Sequence, residues 1–267
     1  MLADLAVPER LRGVLDGIWS FTGDGLSHRV LPDGCIDFLF DLDTGKAIVV
    51  GVMSRAHLVA PALGRRSYGI RFRPGQAAHF IAAHAAELLD RDGDFSTLTR
   101  LGELAERVAE AHTEEARRAA ISSALLRADA RTRPALARLD HALTMLRNTH
   151  GEISVTALAA RSGWSERQLE RCFLERVGIG PKRFARVVRF ERALTLARDG
   201  RLSQAQVAAH AGYADEPHLL REFRVLAGLT PRALTNERNV GFVQGTSAAL
   251  GYCDENETEK ADHAAGR

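Results

Sequence analysis

Two clusters of charged residues late in the chain have the types and spacing to read nucleic-acid bases. In the first, Glu166, Arg167, Glu170 and Arg171 stand on the polar side of a helical pattern whose apolar side holds Leu169 and Phe173. In the second, Glu216, His218, Leu220 and Arg221 stand in the same relation to Leu219 and Phe223. An arginine so placed bonds guanine O6 and N7 through two N–H groups, and a glutamate accepts from the cytosine amino group. The outward N-terminal part of a helix is what presents such groups to base edges in a groove. One cluster of this sort is ordinarily a solvated helix face. The presence of a second copy changes the reading.

The elements that must position these residues are also written twice. Ile153-Ser154-Val155-Thr156-Ala157-Leu158-Ala159-Ala160-Arg161-Ser162-Gly163-Trp164 precedes the first cluster, and Leu202-Ser203-Gln204-Ala205-Gln206-Val207-Ala208-Ala209-His210-Ala211-Gly212-Tyr213 precedes the second. The offset is 49 residues up to the aromatic and 50 after it, so one residue is inserted in the turn. Ser154 and Ser203 are predicted to cap a first helix, and Ser203 with Gln206 makes a capping box. Ala159, Ala160, Ala208 and Ala209 are small enough for two helices to cross closely. Gly163 and Gly212 fall where the chain must turn at positive φ, which glycine adopts without strain. Trp164 and Tyr213 then wedge the turn onto the core. Ser165 with Gln168, and Asp215, are predicted to open the second helices, with Pro217 in a first turn where no N–H is needed. Two helix-turn-helix units in one chain are suited to gripping two segments of a DNA groove.

Between the units, Pro181 to Asp199 reads as one helix stopped by Gly200, with an apolar stripe of Phe184, Val187, Val188, Leu194 and Ala197. Such a helix spans about 27 Å. Together with the helices attached to it, this puts the two recognition helices about one DNA turn, about 34 Å, apart. Arg183, Arg186, Arg189 and Arg192 line the region and are expected to divide between phosphate contacts and a solvated basic face.

Residues 136–238 resemble the DNA-binding half of the AraC/XylS family of bacterial transcription regulators. The resemblance rests on the doubled helix-turn-helix, the pairs Gly163-Trp164 and Gly212-Tyr213, the stretch Gly212 to Arg224, and the closing Gly228-Leu229-Thr230-Pro231. It implies base contacts by Arg167, Glu170 and Arg171 in the first unit and by Glu216, His218 and Arg221 in the second. Pro217 stands where members of the family often have a polar residue, which puts contact at that position in doubt.

Residues 1–75 read as short strands between turn signals such as Pro32-Asp33-Gly34, Thr44-Gly45 and Pro74-Gly75. The runs Cys35 to Phe40, Ala47 to Val50 and Tyr68 to Phe72 carry strand composition, and Ile70 and Phe72 share a face opposite Arg71. A small antiparallel sheet curled into a barrel or sandwich is expected. Leu31 to Phe40 and Gly69 to Gly75 resemble parts of an N-terminal domain found on some AraC-type regulators. That implies sensing of a small molecule, dimerisation, or both. Asp33, Cys35, Asp37, Arg71 and Arg73 are candidates for lining a polar pocket, with Arg71 and Arg73 suited to an anionic ligand.

Helical periodicity begins at Gln76, with Ala77, Phe80, Ile81, Ala85 and Leu88 on one stripe. Further helices are expected over about 101–111 and 114–126. The charged, Pro-terminated stretch 127–134 has linker chemistry. The expected fold is therefore α+β with two domains. Residues 1–130 form a small β-rich regulatory or dimerisation domain with covering helices. Residues 134–238 form an all-α, seven-helix-type domain with two helix-turn-helix units joined by a long helix. Residues 239–267 read as a disordered tail.

Charge supports this division. Residues 133–238 hold 18 Lys/Arg against 11 Asp/Glu, and the remainder holds 18 against 23, so a basic half is joined to an acidic one. The three cysteines, Cys35, Cys172 and Cys253, are far apart and have no metal-ligand spacing, so neither a disulfide framework nor a zinc site is suggested. No cofactor is implied. No signal-peptide pattern or long apolar run occurs, which makes the cytoplasm the expected compartment and excludes a membrane partner. Phosphate-loop, nucleophile-elbow and metalloprotease motifs are missing, so an enzyme is not expected. The expected partners are double-stranded DNA, a small-molecule effector, a second copy of the chain and, for an activator, RNA polymerase. Two alternatives stand beside this reading. One is a redox or alkylation sensor, or a repair enzyme, using the Cys35 thiol on the same DNA-binding domain. The other is an architectural DNA-binding protein with no sensing role.

Overall fold

Alternating apolar residues build the N-terminal half. The computed structural model describes residues 2–129, 137–237 and 240–241. Strands β1 (Leu2–Leu5), β2 (Leu15–Thr22), β3 (His28–Val30), β4 (Ile36–Asp41), β5 (Ala47–Val50), β6 (His57–Val59), β7 (Arg66–Phe72) and β8 (Asp92–Asp94) follow in order. The main sheet has six antiparallel strands in the order β1-β2-β7-β4-β5-β8. Its central strands are covered on both faces. Ile36, Phe38 and Phe40 of β4 enter one apolar cluster, while Leu39 enters another with Trp19, Phe21, Val30, Val50 and Val59. That second cluster is the filling between the main sheet and the small β3–β6 pair. The sheet stays open, since β3 and β6 pair with each other instead of bridging its edges. The architecture is a sandwich, not a barrel.

On the other face lie α1 (Phe95–Leu98), α2 (Leu104–Glu110) and α3 (Glu114–Asp129). Leu104, Val108, Ile121 and Leu125 are buried there with Phe38, Phe72 and Phe95. The Phe38 and Phe72 rings meet edge to face at 4.6 Å, and Phe38 meets Phe95 at 5.2 Å. Such pairs add to simple burial.

The helix predicted from Gln76 does not form. Residues Ala77–His79 and Ala85–Leu88 are single 3-10 turns. Between them the backbone pairs with the next segment: Ala82 N–H donates to Leu98 O at 2.7 Å, and Arg100 N–H to Phe80 O at 2.9 Å. Those partners remove the reason to coil. The predicted stripe Ala77, Phe80, Ile81, Ala85 and Leu88 is nevertheless buried throughout.

The C-terminal half consists of α4 (Ala137–Asn148), α5 (Val155–Arg161), α6 (Glu166–Arg176), α7 (Pro181–Asp199), α8 (Gln204–His210), α9 (Glu216–Ala227) and α10 (Pro231–Asn236). A short β9 (Val240–Gly241) then runs parallel to β3. Leu139, Leu158, Leu169, Phe173, Val177 and Phe184 belong to the same apolar cluster as Phe38 and Phe80, so the sheet domain and the first helical unit share a core. The second unit has a core of its own, with Phe190, Leu194, Val207, Leu219, Phe223 and Leu226. Of the predicted linker, Arg127–Asp129 end α3, and 130–134 lie outside the described residues. The expected tail also lies outside them, apart from β9.

Candidate nucleic-acid interface

Each unit is made by local chemistry that the sequence states directly. Ser154 caps α5 by accepting from Ala157 N–H at 3.1 Å. The Ser165–Gln168 box opens α6, and the Ser203–Gln206 box opens α8, both closed in both directions. Asp215 caps α9, accepting from His218 N–H at 2.6 Å. These bonds satisfy backbone donors that a helix start leaves unpaired. Gly163 and Gly212 turn at φ 67° and 74°, the left-handed region where a side chain is strained.

Each turn is also gripped by an arginine from the preceding helix. Arg138 of α4 donates from Nε to Ser162 O at 3.2 Å and from Nη2 to Gly163 O, and it lies 5.1 Å from the Trp164 ring centre. In the second unit two arginines of α7 divide this task. Arg192 Nε donates to His210 O at 3.0 Å, and Arg189 lies 5.8 Å from the Tyr213 ring centre. A cation at the carbonyl end of a helix is favoured. The repeat therefore extends over three helices, α4-α5-α6 and α7-α8-α9.

These contacts correct the expectation for the connecting helix. Arg186 pairs with Glu222 through two bonds of 2.9 Å. Arg189 donates to Gly151 O at 2.8 Å, and Arg192 bonds His150 Nε2 at 2.8 Å. Packing against the first and second units takes these three out of the group expected to meet phosphates. Arg183 remains exposed. The same contacts lock the units together, because Gly151 lies before α5 whereas His210 ends α8.

The outward residues of the two recognition helices differ in setting. Arg167, Glu170 and Arg171 of α6 are exposed. The Arg171 side chain is 72% exposed, with Glu175 3.8 Å away. Glu166 accepts from Thr156 Oγ1 at 2.6 Å and so ties α6 to α5. On α9, Arg221 is exposed, while Glu216 and His218 are half-buried. His218 has local work: its Nδ1 accepts from Ala214 N–H at 3.4 Å, and its ring edges Tyr213 at 5.2 Å.

Of the candidate ligand residues of the sheet domain, Asp33, Cys35, Asp37 and Arg71 are brought together but buried against one another, and Arg73 stands apart. Arg71 is buried between two carboxylates, with Nη1 3.3 Å from Asp33 and Nε 3.4 Å from Asp37. It faces Asp37 directly across the β4–β7 ladder. Burial opposes the Arg71 charge, but Asp37 and Asp33 outweigh burial and raise its pKa. Burial also pushes Asp37 up to about 8, against the pull of Arg71, and raises Asp33. One positive charge thus faces two carboxyls, which accounts for a proton retained in the group. Glu191 of α7 is pushed up to about 8, first by burial and then by Asp33 and Asp16, with Arg147 and Arg71 opposing. Arg73, past the end of β7, is exposed, and its Nη1 lies 3.4 Å from Arg12 O. It lines a separate cleft of about 260 Å³ with Gly13, Pro74, Asp140, Thr144 and Arg147.

Cys35 is 2% exposed. Burial pushes its thiol well above the usual range, and Asp33 pushes it further. A thiol so disposed is a packed core group, not a nucleophile.

Residues 158–237 match a family described as a helix-turn-helix domain, and residues 5–94 match one described as a domain of unknown function. The HTH-type transcriptional activator RhaS of Escherichia fergusonii is 31% identical over 107 residues, which are 40% of this chain and 38% of that protein. The F1 operon positive regulatory protein of Yersinia pestis is 36% identical over 80 residues, 30% of this chain and 27% of that protein. The chain thus spans less than two fifths of either relative. A crystal structure of a transcriptional regulator from Chromobacterium violaceum, titled as having an AraC-type DNA-binding domain, is 28% identical and covers 38% of this chain and 94% of that one, with a TM-score of 0.36. Among the described residues no helix is long and apolar enough to cross a membrane.

Proposed function

Since residues 158–237 match a helix-turn-helix domain, we propose that the protein is a sequence-specific transcription regulator of the AraC type. Its partner is double-stranded DNA. The observation that carries the reading is the pair of equivalently capped recognition helices, α6 and α9, joined through one rigid helix. α7 has 19 residues and is about 28 Å long, a length that suits two grips on successive turns of one duplex.

Arg167, Glu170, Arg171 and Arg221 are the base-reading candidates, supported by their exposure. Glu216 and His218 stand beside them at the start of α9. The bond from Ala214 fixes His218 Nδ1 as an acceptor and leaves Nε2–H as the donor it would offer a base. Residues 1–130 form the regulatory half, which senses an effector, pairs with a second copy, or does both. An anionic effector finds its best place beside Arg73 and Arg147, because Arg71 is already neutralised. An activator of this kind also meets RNA polymerase. Regulation of transcription places the protein in the cytoplasm.

Selection of bound duplexes from a random pool tests the reading. The expected result is an enriched sequence with two half-sites about one helical turn apart. Salt-dependent binding with no enriched sequence would sink it in favour of an architectural role.

A further inference from the structure

Both recognition helices end against the same sheet domain. Past the end of α6, a Cβ on Gly178 would lie 2.9 Å from Ala85 O and 3.1 Å from Val52 Cγ2. At the end of α9 the contact is polar. The Ala56 N–H donates to Leu226 O at 2.7 Å, and Arg29 Nη1 donates to Ala227 O at 3.0 Å. Arg29 Nε also donates to Glu237 at 2.8 Å, beyond α10. The last carbonyls of a helix have no partner within it, and positive charge there is stabilising. Gly228 closes the helix itself, turning left-handed with its N–H on Arg224 O, and the sheet domain supplies donors to two of the carbonyls that remain, those of Leu226 and Ala227.

The same domain also enters the core of that unit. Leu31 is fully buried among Phe190, Leu194, Leu219, Phe223 and Leu226. It is the only buried sheet-domain residue in that cluster among the described residues. Leu31 follows Arg29 by two positions, so one short segment delivers both a donor to the end of α9 and a plug for its core.

We propose that Arg29 and Leu31 are positioning residues that fix α9 relative to α6, so that the N-terminal domain sets the half-site spacing the protein accepts. The inference rests on the DNA-binding reading. Its logic is the arithmetic of two linked grips. Joint binding depends on the effective concentration of the second grip at its half-site, and that concentration is highest when geometry is fixed and matched. Loosening α9 lowers joint affinity and widens the range of spacings, yet leaves each grip's own base contacts intact.

The test uses the full chain, with Arg29→Met, Leu31→Ala and the conservative Leu31→Met. Each is measured against the selected duplex, duplexes with the half-sites moved by about two base pairs, and a single half-site. Arg29→Met and Leu31→Ala are expected to lose about ten-fold or more on the full site, to stay near wild type on the half-site, and to discriminate less between spacings. Leu31→Met is expected to keep the wild-type profile. Equal loss on full and half sites, or an unchanged spacing profile, overturns the proposal. Amide hydrogen exchange without DNA gives a second arm. Exchange across α9 is expected to quicken in both variants while α6 stays protected. Wild-type exchange at α9 overturns the brace whatever the DNA result. Failure of the wild-type protein to select any sequence instead sinks the DNA-binding reading, and with it the spacing role.

Discussion

Gly34 lies close against the ring of Phe184, joining the turn before β4 to the first half of α7. A Cβ on Gly34 would stand 2.7 Å from Cε2 of that ring, and the residue sits at φ 74°. Phe184 is fully buried and cannot swing aside. Gly34→Ala therefore meets two penalties, about 1–2 kcal/mol for the left-handed backbone and about 1–3 kcal/mol for overpacking. Urea unfolding is expected to show a loss of about 2–5 kcal/mol. A midpoint equal to wild type would mean that the turn does not press on α7 in solution.

The Asp33–Arg71–Asp37 group is expected to be asymmetric to substitution. Arg71→Met leaves two buried carboxyls without their cation, and removal of one partner of a buried pair costs about 3–5 kcal/mol. Adding Asp37→Asn to Arg71→Met removes an uncompensated group and is expected to recover part of that loss. Thermal unfolding of the two single variants and the double variant closes the cycle. Strictly additive losses would show that Arg71 and Asp37 do not interact.

Asp37 also sets a pH dependence with a definite sign. Its folded pKa, about 8, is above its ordinary value of 3.8, so the folded state holds the proton more tightly than the unfolded state. The stability this contributes is complete below about pH 4 and is lost as pH rises through about 8. Asp37→Asn cannot ionise. Its unfolding midpoint relative to wild type is expected to rise from about pH 4 to about pH 8 and to level off above. A difference independent of pH would mean that Asp37 is already ionised in the fold. Glu191→Gln is expected to move in the same direction, since Glu191 is also pushed up to about 8.

The difference between what the sequence disclosed and what it hid follows the range of the interactions. Capping boxes and glycine turns act within four residues, and Ser165–Gln168, Ser203–Gln206, Gly163 and Gly212 behave as their types require. The alternation in Tyr68 to Phe72 marked the position of β7 for the same reason. The apolar spacing in Ala77 to Leu88 reported burial correctly but not conformation, because the hydrogen bonds that decide it come from 98–100. Arg186, Arg189 and Arg192 look alike in sequence, and their roles are set by Glu222, Gly151 and His210, 18 to 38 positions away. Arg138 and Arg189 do matching work before the two units, but their offset is 51 and not 49, because the loop before α8 is two residues shorter than the loop before α5, so a fixed offset could not extend the repeat backwards. Nothing local marked Leu31 as part of the second unit's core.

Arg171 is the residue whose substitution bears most directly on recognition. It is exposed on α6, and its Glu175 partner, at 3.8 Å, is a loose surface contact that holds it only weakly. Arg171→Ala is expected to weaken binding to the selected site by about 1–3 kcal/mol and to relax preference at one base pair. Stability should barely move. Titration against the selected duplex and a random one distinguishes the roles: equal loss on both would show that Arg171 touches phosphate alone.

Arg183 and Arg192 make the corresponding contrast on α7. Arg183 is exposed, and a phosphate contact there would release a counterion when DNA binds. Arg183→Ala is then expected to reduce the slope of log affinity against log salt by about 1, on selected and random duplexes alike. Arg192 instead ties His150 to the end of α8, with bonds of 2.8 and 3.0 Å. Arg192→Ala is expected to leave the salt slope unchanged while lowering the unfolding free energy by about 1–3 kcal/mol, as carbonyl and ring acceptors lose their donor. The two outcomes separate a groove-facing arginine from one spent on holding the units together. A reduced salt slope for Arg192→Ala, without loss of stability, would reverse that assignment and place the α8 side of α7 against the phosphates.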